Sequence, residues 1–151
     1  LLPRVRRFAR SLAGDPADAD DLVQTALERA LARSSQWRPG EGLAPWVFGI
    51  VRNAWLDELR SRQRRSRLFA PPEAGESVGH AAVDAHALGL SVEAAMQCLP
   101  HEQRVVVGLV LVEGLSYREA AEALDVPVGT VTSRLARGRL ELQRLLGDEP
   151  R

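Results

Sequence analysis

The residues with the clearest chemical signature lie near the C-terminus, in the segment 128–146. Hydroxyl and guanidinium groups occupy its first turns: Thr130, Thr132, Ser133, Arg134, Arg137 and Arg139. Arginine can hold guanine through two hydrogen bonds, and hydroxyl groups can bond base edges or phosphates. Four arginines and a single acid, Glu141, stand between residues 134 and 144. This balance indicates contact with DNA rather than an ordinary solvated helix face.

A helix-turn-helix would hold that segment at the surface. Residues 116–119 are Ser-Tyr-Arg-Glu, the pattern of a capping box that opens a short helix. A turn follows at 125–127, where Asp125 stands in place of the usual glycine and tolerates a left-handed conformation at some cost. The second helix, over 128–146, is then free to enter a major groove. The candidate duplex contacts are Ser116, Arg118, Thr130, Thr132, Ser133, Arg134, Arg137 and Arg139.

A second basic segment, 45–65, combines aromatic rings with arginines. Rings that stack on unpaired bases, beside arginines that follow the phosphates, suit single-stranded DNA. Each ring taken alone is as well explained by the core, and the terminal arginines by a favourable cationic helix end. The candidate contacts are Trp46, Arg52, Asn53, Arg60, Arg62, Arg64 and Arg65.

The pair Asp15-Pro16 predicts the start of a second helix, with a buried stripe at Leu22, Ala26, Leu27 and Ala30. An acidic segment opens this helix, with Asp18, Asp20 and Asp21 ahead of Gln24. Acidic residues stabilise a helix N-terminus by themselves, which is the simplest explanation. The functional alternative is a polar docking face for a basic protein surface.

Helical periodicity covers almost the whole chain, and no convincing alternating strand pattern is present. We therefore predict an all-α protein of two small helical modules, 1–67 and 89–151, with the helix-turn-helix in the second. The segment 68–88 has the proline, glycine, serine and acidic composition of a flexible linker. Each module is near the lower limit for independent stability.

The net charge of zero conceals a strong local asymmetry. Residues 1–67 hold 13 arginines and 8 acids, residues 68–93 hold 4 acids and no arginine, and residues 94–151 hold 7 arginines and 8 acids. All 20 basic residues are arginine. Basic charge is thus confined to certain faces, as expected where only those faces meet phosphate.

Other functional classes find little support. Cys98 is the one cysteine, so an internal disulfide and a cysteine-based zinc site are excluded. His80, His86 and His101 lack metal-ligand spacing, and neither a nucleophile–base pair nor a phosphate-binding glycine loop is evident, so we do not expect an enzyme or a cofactor. We find neither a signal peptide nor a membrane span, and expect a cytoplasmic protein.

Taken together, these segments resemble the extracytoplasmic-function (ECF) group of bacterial RNA polymerase sigma factors. The resemblance covers both modules in the family's order and spacing and omits only the linker. The matching stretches are 18–30 (DADDLVQTALERA), 37–40 (WRPG), 46–60 (WVFGIVRNAWLDELR), 99–105 (LPHEQRV), 114–121 (GLSYREAA) and 127–135 (PVGTVTSRL).

The resemblance implies a division of labour. Asp20, Asp21, Gln24 and Glu28 would bind the coiled-coil clamp helices of the polymerase largest subunit. The helix over 45–65 would recognise and melt the promoter box nearer the start site, with Asn53 where the family captures a flipped base. The helix over 128–140 would read the upstream box in duplex DNA, although relatives often have a basic residue at the position of Thr132. The linker would run toward the polymerase active-site channel, and an anti-sigma factor would be a further partner.

Two rival functions remain at this stage. A sigma-like mimic would keep the docking face and sequester an anti-sigma factor, but it should lose the DNA-facing arginines, which are present here. A plain repressor or activator would carry the helix-turn-helix beside an unrelated N-terminal module. The match at 18–30 argues against that class.

Overall fold

The computed structural model describes residues 1–69 and 90–147, and all regular secondary structure in these two ranges is helical. This confirms the predicted all-α fold class. The predicted linker lies almost wholly outside the described residues.

Three helices form the N-terminal module: α1 (Leu2–Ala13), α2 (Pro16–Ala32) and α3 (Leu43–Phe69). Asp15 caps α2, accepting the N–H of Asp18 at 3.0 Å, and Pro16 takes the first helical position, which needs no N–H. The helices pack through a fully buried pair of rings, Phe8 of α1 and Phe48 of α3, in an edge-to-face contact 5.2 Å between centroids. A 3₁₀ turn, Ser34–Gln36, begins the loop before α3.

Four helices form the C-terminal module: α4 (Val92–Gln97), α5 (His101–Val107), α6 (Tyr117–Leu124) and α7 (Val128–Leu146). A π-helical turn, Gly108–Val112, continues α5. The predicted capping box is confirmed at the start of α6, since the Ser116 hydroxyl accepts the Glu119 N–H and the Glu119 carboxylate accepts the Ser116 N–H. Asp125 ends α6 in the left-handed conformation, with φ 53°, as predicted from its position in the turn.

Two details differ from the sequence expectation. We expected Leu27 in the buried stripe of α2, but its side chain is exposed because the stripe that meets α1 and α3 runs through Ala19, Leu22, Val23 and Ala26. We expected α3 over about 45–65, and it extends from Leu43 to Phe69. The added C-terminal turn carries Arg67, and a cationic side chain is favourable at a helix C-terminus.

The two modules share one hydrophobic core. Helix α1 packs against α2 and α3 on one side and against α4, α5 and the π-helical turn on the other. Gly108 permits this contact, because a Cβ at that position would lie 3.2 Å from the Phe8 ring. Arg104 of α5 and Gln97 of α4 donate to the carbonyls of Leu12 and Ser11 at the end of α1. The C-terminus of α1 is therefore satisfied by the other module.

Candidate nucleic-acid interface

The helix-turn-helix presents most of its candidate residues to solvent. Ser133, Arg137 and Arg139 are exposed on α7, and Arg118 is exposed on α6. Thr132 is also exposed, but its hydroxyl donates to the Val128 carbonyl at 3.1 Å. Thr130 is half-buried, and the Ser116 hydroxyl is occupied by the capping box. The exposed arginines are thus the groups most available to a duplex.

Arg134 differs from the other arginines of α7. Its side chain is only 21% exposed, and its guanidinium lies 3.5 Å from the Glu102 carboxylate of α5. A contact with DNA would compete with this ion pair or draw on its remaining N–H donors.

The candidate residues of α3 are divided between two faces. Trp46, Arg52 and Asn53 lie toward the C-terminal module, where Arg52 donates to the Asn53 side-chain oxygen at 3.0 Å. Burial lowers the pKa of Arg52, and the nearby positive charge of Arg134 lowers it further. The structure thereby brings together two arginines that the sequence placed in separate DNA contacts.

The later arginines of α3 are only partly available. Arg60 and Arg64 are exposed. Arg62 pairs with Asp18 at 3.0 Å and Glu58 at 2.9 Å, and its guanidinium stacks over the Trp55 ring at 5.3 Å. Arg65 also lies 3.2 Å from Glu58. Arg62 thus links α3 to α2, and both arginines form ion pairs within α3. The sequence alone did not predict this structural role.

The candidate docking residues form one exposed face of α2. Asp20, Asp21, Gln24 and Glu28 all point to solvent, and Gln24 donates to Glu28 at 3.4 Å. The face also includes Leu27 and Leu31, which sequence reasoning did not select. The sequence could have identified them, because two apolar residues four positions apart beside acidic residues form the mixed surface that is typical of a protein contact.

A small cavity of about 210 Å³ separates this face from α3. Four carboxylates and two arginines line it, and the buried Nε1 of Trp55 has no hydrogen-bond partner within the described ranges. The two α3 carboxylates of this cavity are paired, since Asp57 lies 2.8 Å from Arg29 and Glu58 lies 2.9 Å from Arg62.

Neither a metal centre nor a membrane-spanning helix emerges from the described residues. No group of three or more His, Cys, Asp or Glu in 1–69 and 90–147 is arranged to hold a metal ion. No helix in these ranges is long and apolar enough to cross a membrane.

Sequence comparison decides the family. The profile of Sigma-70 region 2 matches residues 1–65, and that of Sigma-70 region 4 matches residues 89–142. The ECF RNA polymerase sigma factor EcfG of Rhodopseudomonas palustris (strain TIE-1) is 38% identical over 96% of this chain and 80% of its own length. The chain belongs to the ECF sigma factors. As a member of this family it is a DNA-binding transcription initiation factor.

Further relatives agree with this assignment. The ECF sigma factor SigE of Mycolicibacterium smegmatis is 39% identical over 95% of this chain, which spans 57% of SigE. A solved complex of the sigma factor RpoE with the anti-sigma factor NepR from Bartonella quintana has a TM-score of 0.80 and 30% identity, covering 99% of this ECF sigma factor and 93% of RpoE. A complex of CnrH with the cytosolic domain of CnrY has a TM-score of 0.68 at 24% identity and supports the fold.

Proposed function

We propose that this ECF sigma factor docks on core RNA polymerase through α2, opens the downstream promoter box with α3 and reads the upstream box with α7. The observation that supports the proposal most directly is a helix-turn-helix whose second helix, α7, has two exposed arginines, Arg137 and Arg139. A sigma-like mimic has no need of these arginines.

The upstream contact is assigned to the solvent-facing residues of α7. Arg137 and Arg139 are exposed and make no ion pair with described residues, so their donors are available to phosphate or guanine. Ser133 is also exposed, one helical turn before Arg137. Arg134 joins the contact by exchanging Glu102 for a DNA partner.

The downstream contact is assigned to residues 46–64 of α3. Trp46 and Asn53 would hold an unpaired base by stacking and by amide hydrogen bonds, and Arg52, Arg60 and Arg64 would follow the backbone. Arg62 acts indirectly, because its pair with Asp18 of α2 fixes the position of α3, whereas Arg65 pairs with Glu58 within α3.

The protein partners follow from the exposed face of α2 and from the RpoE–NepR likeness. The carboxylates at Asp20, Asp21 and Glu28 complement a basic surface on the polymerase, and Leu27 and Leu31 add apolar area. By analogy with RpoE, we infer that an anti-sigma factor regulates this chain. We also propose that it acts in the cytoplasm, where the polymerase works, and that it has no enzymatic activity or cofactor of its own.

In vitro transcription from a genomic promoter library with core polymerase tests the upstream assignment. Arg137→Ala combined with Arg139→Ala should reduce sigma-dependent transcripts at least tenfold, since each lost base or phosphate contact costs about 1–3 kcal/mol. The matched control is Arg144→Ala, on the same helix but paired with Glu141.

Either of two results would reject part of the assignment. Unchanged transcription by the double variant would remove α7 from promoter reading. Binding to core polymerase without any transcript from the wild-type chain would favour the mimic.

Docking is tested separately with purified core polymerase. Asp21→Arg should weaken binding at least tenfold, because it places like charge against a basic surface. The control Glu93→Arg makes the same charge change on α4, away from the docking face. Equal affinities for the two variants would contradict the role of α2.

A further inference from the structure

Three arginines lie near His101 where the two modules meet. Arg52 belongs to α3, Arg104 to α5 and Arg134 to α7, and all three act on the imidazole. Burial and then these arginines lower the pKa of His101 to about 4, so the ring is neutral at about pH 7, while Glu102 acts in the opposite direction. These five residues are called the arginine cluster below. The cluster has three positive charges and one negative charge, and it therefore attracts anions.

The modules approach each other closely at this point. Gly49 of α3 lies one turn before Arg52, and a Cβ at Gly49 would lie 2.6 Å from the Ala123 carbonyl oxygen of α6. Arg52, His101 and Arg134 are all half-buried. The arginine cluster is therefore built from both modules and is partly shielded from water, which strengthens its attraction for an anion.

Two of the three arginines have hydrogen-bond donors to spare. Arg104 donates to four main-chain carbonyls at 2.9–3.0 Å and is fully engaged. Among the described residues, Arg52 donates only to the side-chain oxygen of Asn53. Arg134 lies 3.5 Å from the Glu102 carboxylate, and no hydrogen bond within the described ranges joins them. Because each guanidinium has five N–H donors, Arg52 and Arg134 can bind a further ligand.

The imidazole of the cluster also lacks a partner. Both ring nitrogens of His101 are buried, and neither makes a hydrogen bond with the described residues. Buried polar groups in proteins are normally paired, so a partner from outside the chain is expected. A water molecule would satisfy the ring but leave the positive charge uncompensated. An oxyanion would do both, since its oxygens accept hydrogen bonds from the ring and from guanidinium groups.

The excess of positive charge favours a terminal phosphate group over other anions. A terminal phosphate carries close to two negative charges at about pH 7, and the planar fork of arginine matches its oxygens. A phosphodiester of the DNA backbone carries only one charge. Glu102 does not block the ligand, because its side chain is 65% exposed and can turn to solvent when Arg134 changes partner.

We propose that the arginine cluster binds a terminal phosphate group, held by Arg52, Arg134 and the imidazole of His101 at the contact between the modules. This site goes beyond the promoter contacts proposed above. Because the two arginines come from different modules, the bound phosphate bridges them. A small phosphate-bearing ligand would also compete with DNA for both arginines.

The test is the titration of the purified chain with inorganic phosphate at about pH 7.5 and constant ionic strength. Isothermal titration calorimetry measures the affinity. Proton NMR locates the site, because the imidazole signal that is missing from His101→Gln should shift when phosphate is added to the wild-type chain. Absence of both a binding heat and a shift would overturn the site.

Two variants with one control examine the arginines. Arg52→Gln and Arg134→Gln should each weaken phosphate binding at least about tenfold, since each loses charge-assisted hydrogen bonds. The control is Arg64→Gln, the same change at an exposed position about 18 Å further along α3. Circular dichroism verifies that the helices persist. Equal weakening by all three variants would show general attraction to a basic surface, and an effect of Arg52→Gln alone would remove the bridge between the modules.

Dimethyl phosphate distinguishes the two sources of phosphate, because it has the single charge of the DNA backbone. It should bind at least about tenfold more weakly than inorganic phosphate, since Coulomb attraction scales with charge. Equal affinities would overturn the preference for a terminal phosphate and assign the site to DNA. Transcription with core polymerase tests the proposed function separately, and its failure would leave phosphate binding by the free chain unchanged.

Discussion

Arg104 shows how much a single residue contributes to the contact between the modules. Its guanidinium donates to four carbonyl oxygens, those of Leu12, Met96, Gln97 and Leu99, at 2.9–3.0 Å. Burial lowers its pKa, yet an arginine remains charged. The planar fork reaches the C-terminus of α1 and the turn after α4 simultaneously, which an ammonium group cannot do.

Arg104→Lys should therefore lower the free energy of unfolding by about 3 kcal/mol, because most of the charge-assisted hydrogen bonds are lost. Urea denaturation followed by circular dichroism measures the change. Arg6→Lys, at an exposed position of α1, should alter stability by less than about 0.5 kcal/mol. A similar small effect at Arg104 would mean that the four bonds are replaced by water at little cost.

His101 gives the chain a pH dependence. Burial lowers its pKa from 6.5 to about 4, helped by Arg104, Arg52 and Arg134, while Glu102 acts in the opposite direction. Neither ring nitrogen has a hydrogen-bond partner among the described residues. The unfolded chain therefore takes up a proton first as the pH falls, so stability is unaffected above about pH 7 and declines between about pH 6.5 and 4.

At about pH 5 the wild-type chain should lose about 1 kcal/mol more stability, relative to about pH 7.5, than His101→Gln does. This figure allows for solvent screening of a half-buried ring. Urea titrations of both proteins at the two pH values measure the difference. Parallel losses would show that His101 titrates normally in the folded chain.

At the scale of helices, the turn between α6 and α7 holds a non-glycine residue in a backbone conformation that favours glycine. Asp125 has φ 53°, the left-handed region in which glycine carries no Cβ penalty. Gly114, before α6, has φ 75°, and glycine is the residue usually found in this conformation.

Asp125→Gly should raise the free energy of unfolding by about 0.5–1 kcal/mol and the melting temperature by roughly 2 °C. Gly114→Asp, where a side chain meets nothing within 4 Å, is the reverse experiment and should lower the melting temperature. Differential scanning calorimetry measures both. A drop in melting temperature for Asp125→Gly would show that the carboxylate makes a contribution larger than the backbone strain.

Local signals predicted the helices well and the burial of their residues less well. The capping box at Ser116, the cap at Asp15 and the helix-turn-helix follow from short-range chemistry, and the structure confirms them. Leu27 was misplaced because periodicity alone does not show where a buried stripe ends. The Arg7–Glu113 pair joins residues 106 positions apart, and no local pattern predicts such a contact. The roles of individual DNA-facing residues stay predictions.

At the scale of the whole molecule, a shared core should couple the folding of the two modules. Helix α1 contributes buried residues to both modules, so the unfolding of either one exposes apolar surface of the other to water. All three tryptophans, Trp37, Trp46 and Trp55, lie in the N-terminal module and report on it selectively.

Thermal unfolding should therefore give coincident curves by tryptophan fluorescence and by far-ultraviolet circular dichroism, which averages over all helices. Arg7→Glu removes the two hydrogen bonds from Arg7 of α1 to the buried Glu113 carboxylate of the C-terminal module, so its two curves should separate. Those of the control Arg6→Glu, at an exposed position of α1, should still coincide. Separate curves in the wild-type chain would show two modules that fold independently.

A Cβ at Gly49 of α3 would lie 2.6 Å from the Ala123 main-chain oxygen of α6, and this close approach limits how these proteins can be recombined. The residue tolerated on α3 depends on a main-chain oxygen supplied by the other half of the chain. A hybrid that joins the second half of this chain to the first half of a relative with a larger residue at this position would keep each helix intact and still lose the fit between them. Exchange of halves between relatives therefore requires matching partners at this position.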